Sequence, residues 1–241
     1  MPLLGEIGVS QGKSADHEAA VSGVFSPELR QKFEIFSYRN AAGILAGSFP
    51  RQFSELTGAL ERFSISETMI RSPGGSKSTI AKYADTLFGA DWVETRISAD
   101  LHVKLIHVGG RGRILSQYTR QGYLDGHRID FVNGRVALDL EWNSKDQTYD
   151  RDLSAFSAFY EAGAIDVGII LTRGSSLNNA FFRNLGNVLK KDGSEGAEPV
   201  YRKYGASTTW MGKLLYRLDA GRNGGCPVLA IGITPDCVRK M

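Results

Sequence analysis

The sequence predicts an α/β domain with a central mixed β-sheet flanked by helices. Two segments, "AIDVGIILT" (Ala164–Thr172) and "CPVLAIGIT" near the C-terminus, are almost wholly apolar, as strands covered on both faces are. The segment Thr148–Gly163 is predicted to be a helix that stands between a hairpin and the first of these strands. This order is typical of a right-handed β-α-β crossover, which joins two parallel strands.

The N-terminal part of the chain is predicted to add a strand and helices to this sheet. Residues 1–24 are rich in Gly, Ser and Ala, which is typical of a loose extension, and residues 25–241 are predicted to form one domain. Lys32–Asn40 alternates apolar and polar side chains, as a half-buried strand does. Pro50–Phe63 is predicted to be a helix, because Pro suits the first turn. Its apolar side chains recur at three- and four-residue steps: Phe53, Leu56, Leu60 and Phe63.

A β-hairpin is predicted near the middle of the chain. Ile129–Val132 and Arg135–Trp142 are β-prone segments joined by Asn133-Gly134, and Asn-Gly is the strongest short-range hairpin signal. His102–Val108 is predicted to be another strand, followed by the basic bend "GGRGR". Helices are predicted through "AFFRNLGNVLKK" and through the segment with inward-facing Met211, Leu214, Leu215 and Leu218.

The helix predicted over Thr148–Gly163 begins with acidic residues. Asp150 and Asp152 are expected in its first turn, where negative charge stabilises the helix dipole. Gly163 is a natural end for it. These acids are therefore predicted to stabilise the N-terminus of the helix.

Composition favours a soluble protein of a reducing compartment. The formal net charge is +3, which permits a polyanionic partner without requiring one. Two cysteines make neither a disulfide framework nor a zinc quartet. The N-terminus has no signal-peptide pattern, and no apolar run approaches the roughly 20 residues of a membrane helix. We therefore expect a cytoplasmic location and no membrane partner.

Three familiar catalytic motifs are excluded. "GVSQGKS" (Gly8–Ser14) has three residues between its first Gly and the Gly-Lys pair, whereas a phosphate-binding loop needs four. The four histidines form no zinc pattern, and no Gly-x-Ser-x-Gly elbow is present. We therefore expect no nucleotide cofactor.

The acidic residues of the predicted hairpin are the remaining candidates for chemistry. Asp139 and Glu141 are two residues apart on one strand and therefore point to the same face, opposite Leu138 and Leu140. Asp130 lies across the hairpin and can approach the same end. Three converging carboxylates need a cation, and oxygen ligands favour a hard ion such as Mg²⁺. Such a site suits metal-assisted hydrolysis of a phosphodiester.

A plainer interpretation of the same residues also stands. The acids could face solvent on a one-sided sheet, with Arg135 and Lys145 as their ionic partners. The Asp-x-Glu spacing alone does not decide between the two.

The wider pattern resembles a known family. The stretch "IDFVNGRVALDLEWNSKD", the helix with an acidic start and "GAIDVGIILTRG" resemble the BglII/BstYI group of type II restriction endonucleases, which are related to BamHI and belong to the PD-(D/E)xK superfamily. The resemblance implies that Asp130 is the metal-binding Asp and that Asp139 stands where Glu is usual. Glu141 stands where the group replaces the superfamily's Lys by Gln or Glu. "DWVETRI" resembles a helix that supplies one more polar group, with Glu94 as the candidate.

The resemblance also implies two DNA-reading loops, because loops at corresponding places enter the major groove. A nuclease that discriminates sequence needs donors and acceptors for base edges. The candidates are Arg173, Ser175, Ser176, Asn178 and Asn179 in the first loop, and Lys203, Tyr204, Ser207, Thr208, Thr209 and Lys213 in the second. The alternative for these Ser, Thr and Asn residues is helix capping and turn formation.

Taken together, the resemblance implies a type II restriction endonuclease of a restriction-modification system. It implies Mg²⁺ as the cofactor, with Mn²⁺ as a substitute, double-stranded DNA as the substrate and a homodimer that matches a short palindromic site. Pro50–Phe63 and Thr148–Gly163 are the candidate interface helices. A structure-selective repair or junction nuclease, a non-catalytic DNA-binding protein and a small-molecule-binding domain are the alternatives left open.

Overall fold

The computed structural model describes residues 15–75, 77–109 and 111–239. In these ranges the strands are β1 (Phe33–Tyr38), β2 (Ile65–Ser66), β3 (Val93–Ile106), β4 (Ile114–Asn133), β5 (Val136–Glu141), β6 (Val167–Arg173), β7 (Asn187–Leu189), β8 (Glu195–Pro199), β9 (Val228–Ile233) and β10 (Val238–Arg239). The helices are α1 (Glu18–Ser22), α2 (Pro27–Lys32), α3 (Ala41–Ser48), α4 (Pro50–Arg62), α5 (Glu67–Arg71), α6 (Thr79–Asp85), α7 (Thr148–Glu161), α8 (Asn179–Arg183), α9 (Val200–Lys203) and α10 (Met211–Asp219).

Six of these strands form one mixed sheet in the order β1-β9-β6-β5-β4-β3. Its centre is parallel, because β5 pairs with β6 and β6 pairs with β9 in the same direction. Its two edges are antiparallel, formed by β1 against β9 and by β3 against β4. The predicted mixed sheet flanked by helices is therefore confirmed.

The parallel centre has the sequence character that this position demands. All residues of β5, β6 and β9 are buried. Leu138, Ile169 and Ile231 pack into a core on one face, whereas Ala137, Ile170 and Ala230 pack with α7 and α10 on the other. The predicted β-α-β crossover is present as β5-α7-β6. It delivers β6 beside and parallel to β5.

The hairpin that precedes β5 is far longer than the sequence indicated. We predicted short strands over His102–Val108 and Ile129–Val132, but β3 and β4 run antiparallel through 14 and 20 residues. "DWVETRI" is also not a helix, because β3 begins at Val93 and includes Glu94. Backbone pairing between the two strands holds them together where no core covers them, and for that reason apolar periodicity did not reveal their length.

The region after β6 also contains a hairpin that the sequence did not indicate. The predicted helix over "AFFRNLGNVLKK" ends early, since α8 stops at Arg183 and β7 begins at Asn187. The polar stretch that follows forms β8, which pairs with β7. A self-paired hairpin satisfies its own backbone, so it needs little apolar periodicity to form.

The segment expected to be a loose extension is partly packed on the domain. Residues 1–14, which include the Gly8–Ser14 motif, lie outside the described residues. From Ala15 onward the chain is ordered against β1, because Ala15 bridges Tyr38 and the Asp16 carboxylate accepts a hydrogen bond from Ser37 Oγ at 2.5 Å. Val21 of α1 is buried in the core. The expectation of a loose segment is therefore wrong for residues 15–24.

Candidate active site

The β4–β5 hairpin opens at the end away from its turn. Ladder pairing covers three pairs, from Asn133–Val136 to Phe131–Leu138. Beyond them, side chains replace the ladder: the Asp130 N–H donates to Asp139 Oδ1 at 2.8 Å, and the Leu140 N–H donates to Asp130 Oδ2 at 3.3 Å. The two carboxylates therefore take the place of main-chain acceptors at the point where the strands separate.

Asp139 and Glu141 lie on the buried face of β5 that packs against α7. They share this face with Ala137, and they are only 4% and 5% exposed. Leu138, Leu140 and Trp142 belong to the core on the opposite face, as the strand alternation predicted. Both acids are therefore held in the interior rather than on a solvated surface.

A third buried acid, Asp152 of α7, completes this cluster and was missed. It is 1% exposed. We assigned it to the helix N-terminus, but it lies on the buried stripe of α7 with Tyr149, Phe156 and Phe159. The helical spacing of 149, 152, 156 and 159 was the signal that could have identified it.

The cluster contains carboxylate oxygens with no hydrogen-bond partner. Among the described residues, Asp139 Oδ2, Glu141 Oε2 and Asp152 Oδ2 are all buried and unpartnered. Unsatisfied buried oxygens are costly and call for a proton or a cation. Carboxylate oxygens are the ligands that a hard divalent cation such as Mg²⁺ prefers.

Burial and mutual repulsion raise the pKa of each acid in the cluster. Burial is the largest cause for Asp139, whose pKa lies well above its ordinary value, and the charges of Asp152 and Asp130 add to it. Burial and the Asp152 charge raise the pKa of Glu141 to about 8. Burial raises the pKa of Asp152 to about 6, although neighbouring Arg151 opposes this. The metal-free cluster therefore retains protons near neutral pH.

Arg151 is the cation that accompanies the cluster. Its guanidinium lies 2.8 Å from Asp152 Oδ1 and 3.5 Å from Glu141 Oε1. The alternative partners considered from the sequence are placed elsewhere: Arg135 pairs with Asp166 at 2.5 Å, and Lys145 forms a backbone bridge with Thr208. The plainer interpretation is therefore wrong for Asp139 and Glu141, which are buried, and for the two proposed partners, whereas Asp130 is exposed as that interpretation expected.

Asp130 faces an open groove of about 500 Å³ on the other side of the hairpin. The groove is lined by Glu94, Leu140 and Trp142 and by the Gly-rich segment before α6, including Lys77. Protein atoms around the Asp130 carboxyl raise its pKa, and the bond from the Leu140 N–H opposes the rise. Glu94 is exposed and lies 3.4 Å from Arg128 on the neighbouring strand. Asp130 is thus the acid of the hairpin that an incoming substrate would meet.

The predicted three-carboxylate site is not ready-made in this conformation. Within the described ranges, no three Asp, Glu, His or Cys side chains are placed together as ligands of one metal ion. Asp130 opens on the groove, whereas Asp139 and Glu141 face α7. Their role as metal ligands stays a prediction.

The central sheet and its acidic hairpin indicate the class of protein to which the chain belongs. A mixed sheet with a parallel centre, whose hairpin carries Asp130, Asp139 and Glu141 at its open end, is compatible with a restriction-endonuclease-like core. The family model for restriction endonuclease BglII/BglIII matches residues 33–233, and the chain belongs to this family. No curated protein matches the chain significantly.

Membership confirms the resemblance stated from the sequence. The protein is a type II restriction endonuclease, a site-specific deoxyribonuclease that binds double-stranded DNA. Enzymes of this family generally use a divalent metal ion. In the part of the chain that the structure describes, no helix has both the length and the apolar character required to span a membrane.

Arg173, the first predicted DNA-reading residue, is buried as a structural element. Its guanidinium donates to the carbonyls of Thr209 and Leu177 and to Thr208 Oγ1. It also lies over the rings of Phe182 and Tyr204 at 5.3 and 5.5 Å from their centroids. Burial without a carboxylate partner lowers its pKa to about 10. Arg173 therefore holds the two predicted loops together and does not present its guanidinium to solvent.

Three residues of the second predicted loop are likewise committed to the fold. Tyr204 is buried, donates to the Ile70 carbonyl and accepts from Trp142 Nε1. Thr209 is buried, and Lys213 pairs with Asp146 at 2.9 Å. The periodic sequence pattern did not reveal these partners, because they lie far away along the chain.

Most of the remaining DNA-contact candidates lie at exposed positions. Ser175 and Ser176 are exposed, and their N–H groups donate to the Glu34 carboxylate. Asn178 caps α8, as the alternative interpretation expected. The other exposed candidates, Asn179 and Ser207, have side chains open to solvent. Ser175, Asn179 and Ser207 are accordingly the predicted DNA contacts that the fold leaves best placed for that role.

Lys203 anchors the Gly-rich wall of the groove. Its ammonium donates to the carbonyls of Ile70 at 2.9 Å and Ser72 at 2.5 Å, and burial lowers its pKa to about 8. We expect Lys203→Met to lower the free energy of unfolding by about 1 kcal/mol, the scale of charged hydrogen bonds discounted for partial exposure. Urea unfolding measures this change.

The control for this variant is Lys190→Met, which removes the ammonium of an exposed residue. If Lys203 is structural, the salt dependence of DNA binding is the same in both variants and only Lys203→Met loses stability. A Lys203→Met variant with wild-type stability and a weaker salt dependence would instead identify Lys203 as a phosphate contact.

Proposed function

We propose that this endonuclease hydrolyses double-stranded DNA at a short palindromic site, in a Mg²⁺-dependent reaction carried out by a homodimer. The observation that supports the metal is the set of buried, unpartnered oxygens on Asp139, Glu141 and Asp152 beside the groove-facing Asp130. The palindromic site and the dimer are proposed on symmetry grounds, because the two-fold axis of a homodimer matches the two-fold axis of a palindromic DNA site.

Asp130, Asp139 and Glu141 are the residues proposed to hold the ion. A Mg²⁺ ion held there would supply Lewis-acid stabilisation of the phosphate and would lower the pKa of a water molecule. Asp139 is shorter by one methylene than the Glu usual at this place, and Asp152 offers a further buried carboxylate within the same cluster.

The protein's own groups orient and charge this site. The Asp130 N–H holds Asp139 Oδ1, and the Leu140 N–H holds Asp130 Oδ2, so each carboxylate keeps its second oxygen for another partner. Glu141 retains a proton in the metal-free state and must release it when a cation binds. Lys77 and Glu94 lie in the groove wall, where Lys77 can meet a phosphate and Glu94 remains the candidate additional acid.

Two further parts of the proposal concern the assembly and its compartment. The dimer interface would use α4 or α7, the helices identified from the sequence. A cytoplasmic location is supported by Cys226 and Cys237, which are both buried and unbridged, as thiols of a reducing compartment are.

Incubation of plasmid and phage DNA with the protein, in Mg²⁺ and separately in EDTA, tests the proposal. We expect discrete fragments in Mg²⁺ and intact DNA in EDTA. Sequencing of the fragment ends should locate a short two-fold symmetric site. A smear would contradict sequence specificity, and DNA that is bound but never cut would contradict catalysis.

A further inference from the structure

The hairpin of β3 and β4 carries a long exposed segment that the cleavage site does not use. We call the part from Leu101 to Tyr123 the arm. All of its described residues except Val103 are exposed. Across the described chain, nine of the eleven exposed large hydrophobic side chains lie on β3, β4 and the turn between them. An isolated two-stranded ribbon with such a surface is marginal in water, which indicates a partner.

The charge of the arm indicates what that partner is. The segment contains no Asp or Glu, whereas it carries Lys104, Arg111, Arg113 and Arg120 together with two histidines. The ion pairs formed on the hairpin, Arg96 with Asp125 and Arg128 with Glu94, lie nearer its base. A second arm would meet this segment with the same positive charge, whereas a polyanion would complement it.

Strand β4 connects the arm to the proposed cleavage site. β4 runs without interruption from Asp130 back to Ile114, and at roughly 3.3 Å per residue this distance is about 50 Å when extended. A duplex rises 3.4 Å per base pair, so the length of β4 from Asp130 to the tip of the arm corresponds to about 15 base pairs. Register shifts along the ribbon and positive φ values at Gly122 and Gly126 introduce twist and bending.

The tip combines apolar and arginine side chains in a narrow turn. Val108 is 98% exposed, and Ile106 and Ile114 beside it are also exposed. Arg111 and Arg113 are separated by Gly112, which has φ of +78° and no side chain to widen the turn. Arginines that enter the minor groove next to apolar side chains that wedge against base steps are a recurrent means of holding duplex DNA.

We propose that the arm binds duplex DNA that flanks the cleavage site, with Arg111, Arg113 and Val108 of its tip in the minor groove. This inference rests on the proposed function, because it places the scissile phosphate near Asp130. It extends that function to DNA outside the recognition sequence. Minor-groove readout distinguishes A·T from G·C flanks and not individual bases.

Binding without cleavage tests this inference separately from catalysis. The probes are a 12-base-pair duplex and two 40-base-pair duplexes that contain it, one with A·T flanks and one with G·C flanks, titrated in EDTA by fluorescence anisotropy. We expect the A·T-flanked duplex to bind at least about tenfold more tightly than the short one. The double variant Arg111→Ser with Arg113→Ser should lose that gain and reduce the salt slope by about 2, near 1 per phosphate-neutralising cation.

The matched control is Lys190→Ser with Lys191→Ser, which removes two exposed charges from the β7–β8 turn. It should keep the gain from A·T flanks, and the minor-groove ligand netropsin should abolish that gain in the wild type. A gain that survives in the tip variant, or in the presence of netropsin, overturns the inference. The inference is also overturned if the tip variant keeps the gain from A·T flanks but differs from the wild type in oligomeric state, as measured by light scattering. The arm would then join two copies of the chain. If the wild type fails to cleave plasmid DNA but still gains affinity from the A·T flanks, only the proposed function is contradicted.

Discussion

Asp130→Asn should reduce DNA cleavage by at least about 10³-fold, the scale for removing a group that stabilises transition-state charge. Asp130 is the hairpin acid that lines the groove, and its Oδ2 accepts the Leu140 N–H. Asn keeps the size and the acceptor oxygen, so the hairpin should stay folded, but it removes the negative charge proposed to hold the cation. The measurement is the initial rate of plasmid cleavage in Mg²⁺, with DNA binding in EDTA recorded in parallel.

The matched control is Asp125→Asn on the same strand. Asp125 is exposed and lies 3.8 Å from Arg96, outside the acidic cluster. It should retain cleavage within about twofold, because an exposed ion pair contributes little. DNA binding should survive in both variants. A normal cleavage rate for Asp130→Asn would show that the acid carrying the reaction has been wrongly identified.

Glu141→Gln should stabilise the metal-free protein at alkaline pH by about 4 kcal/mol, because each unit of a pKa shift corresponds to about 1.4 kcal/mol and the shift of this buried acid is a few units. The pKa of Glu141 is raised in the folded state to about 8, from an ordinary value of 4.5. Its stabilising contribution is therefore fully present below about pH 4.5 and is lost as the pH rises through about 8. Gln carries no charge at any of these pH values and is free of this loss.

Urea unfolding in EDTA at pH 6 and at pH 9 measures the effect. The difference between Glu141→Gln and the wild type should grow with pH, whereas an exposed control, Glu61→Gln, should behave like the wild type at both. Mg²⁺ should stabilise the wild type more at pH 9 than at pH 6, because protons compete with the cation for the same oxygens. Equal stability of Glu141→Gln and the wild type at pH 9 would mean that Glu141 is solvated and ionised without cost.

The candidate site was predictable to the extent that it depends on neighbours along the chain. Asp139 and Glu141 share a face because strand side chains alternate, and Asn133-Gly134 returns the chain beside Asp130. The arrangement of the three acids was only partly anticipated. The hairpin opens after Phe131–Leu138, so Asp130 lies in the groove while Asp139 and Glu141 are buried against α7. No local pattern encodes that opening.

The roles of the DNA-reading candidates were not predictable from neighbours along the chain. A loop of Arg, Ser and Asn after a buried strand has the composition of a recognition surface, and so do Lys and Tyr in a second loop. Arg173 and Tyr204 are instead bonded across distances of 36 to 134 residues along the chain, to Thr209 through its carbonyl, to Trp142 and to Ile70. Polar side chains are equally suited to bind DNA and to satisfy buried carbonyls, and only the packed chain distinguishes the two.

Local sequence patterns predicted the mixed sheet, the β5-α7-β6 crossover and the shared face of Asp139 and Glu141, and the resemblance of three quoted stretches predicted the family. The sheet, the crossover and the shared face follow from periodicity and turn chemistry within a few tens of residues. The tertiary structure alone decided that Asp152 joins the acidic cluster, that Arg173 is buried and that the β3–β4 hairpin extends into solvent. These depend on which distant surfaces meet, because burial and electrostatic repulsion are properties of the assembled chain and not of any one segment.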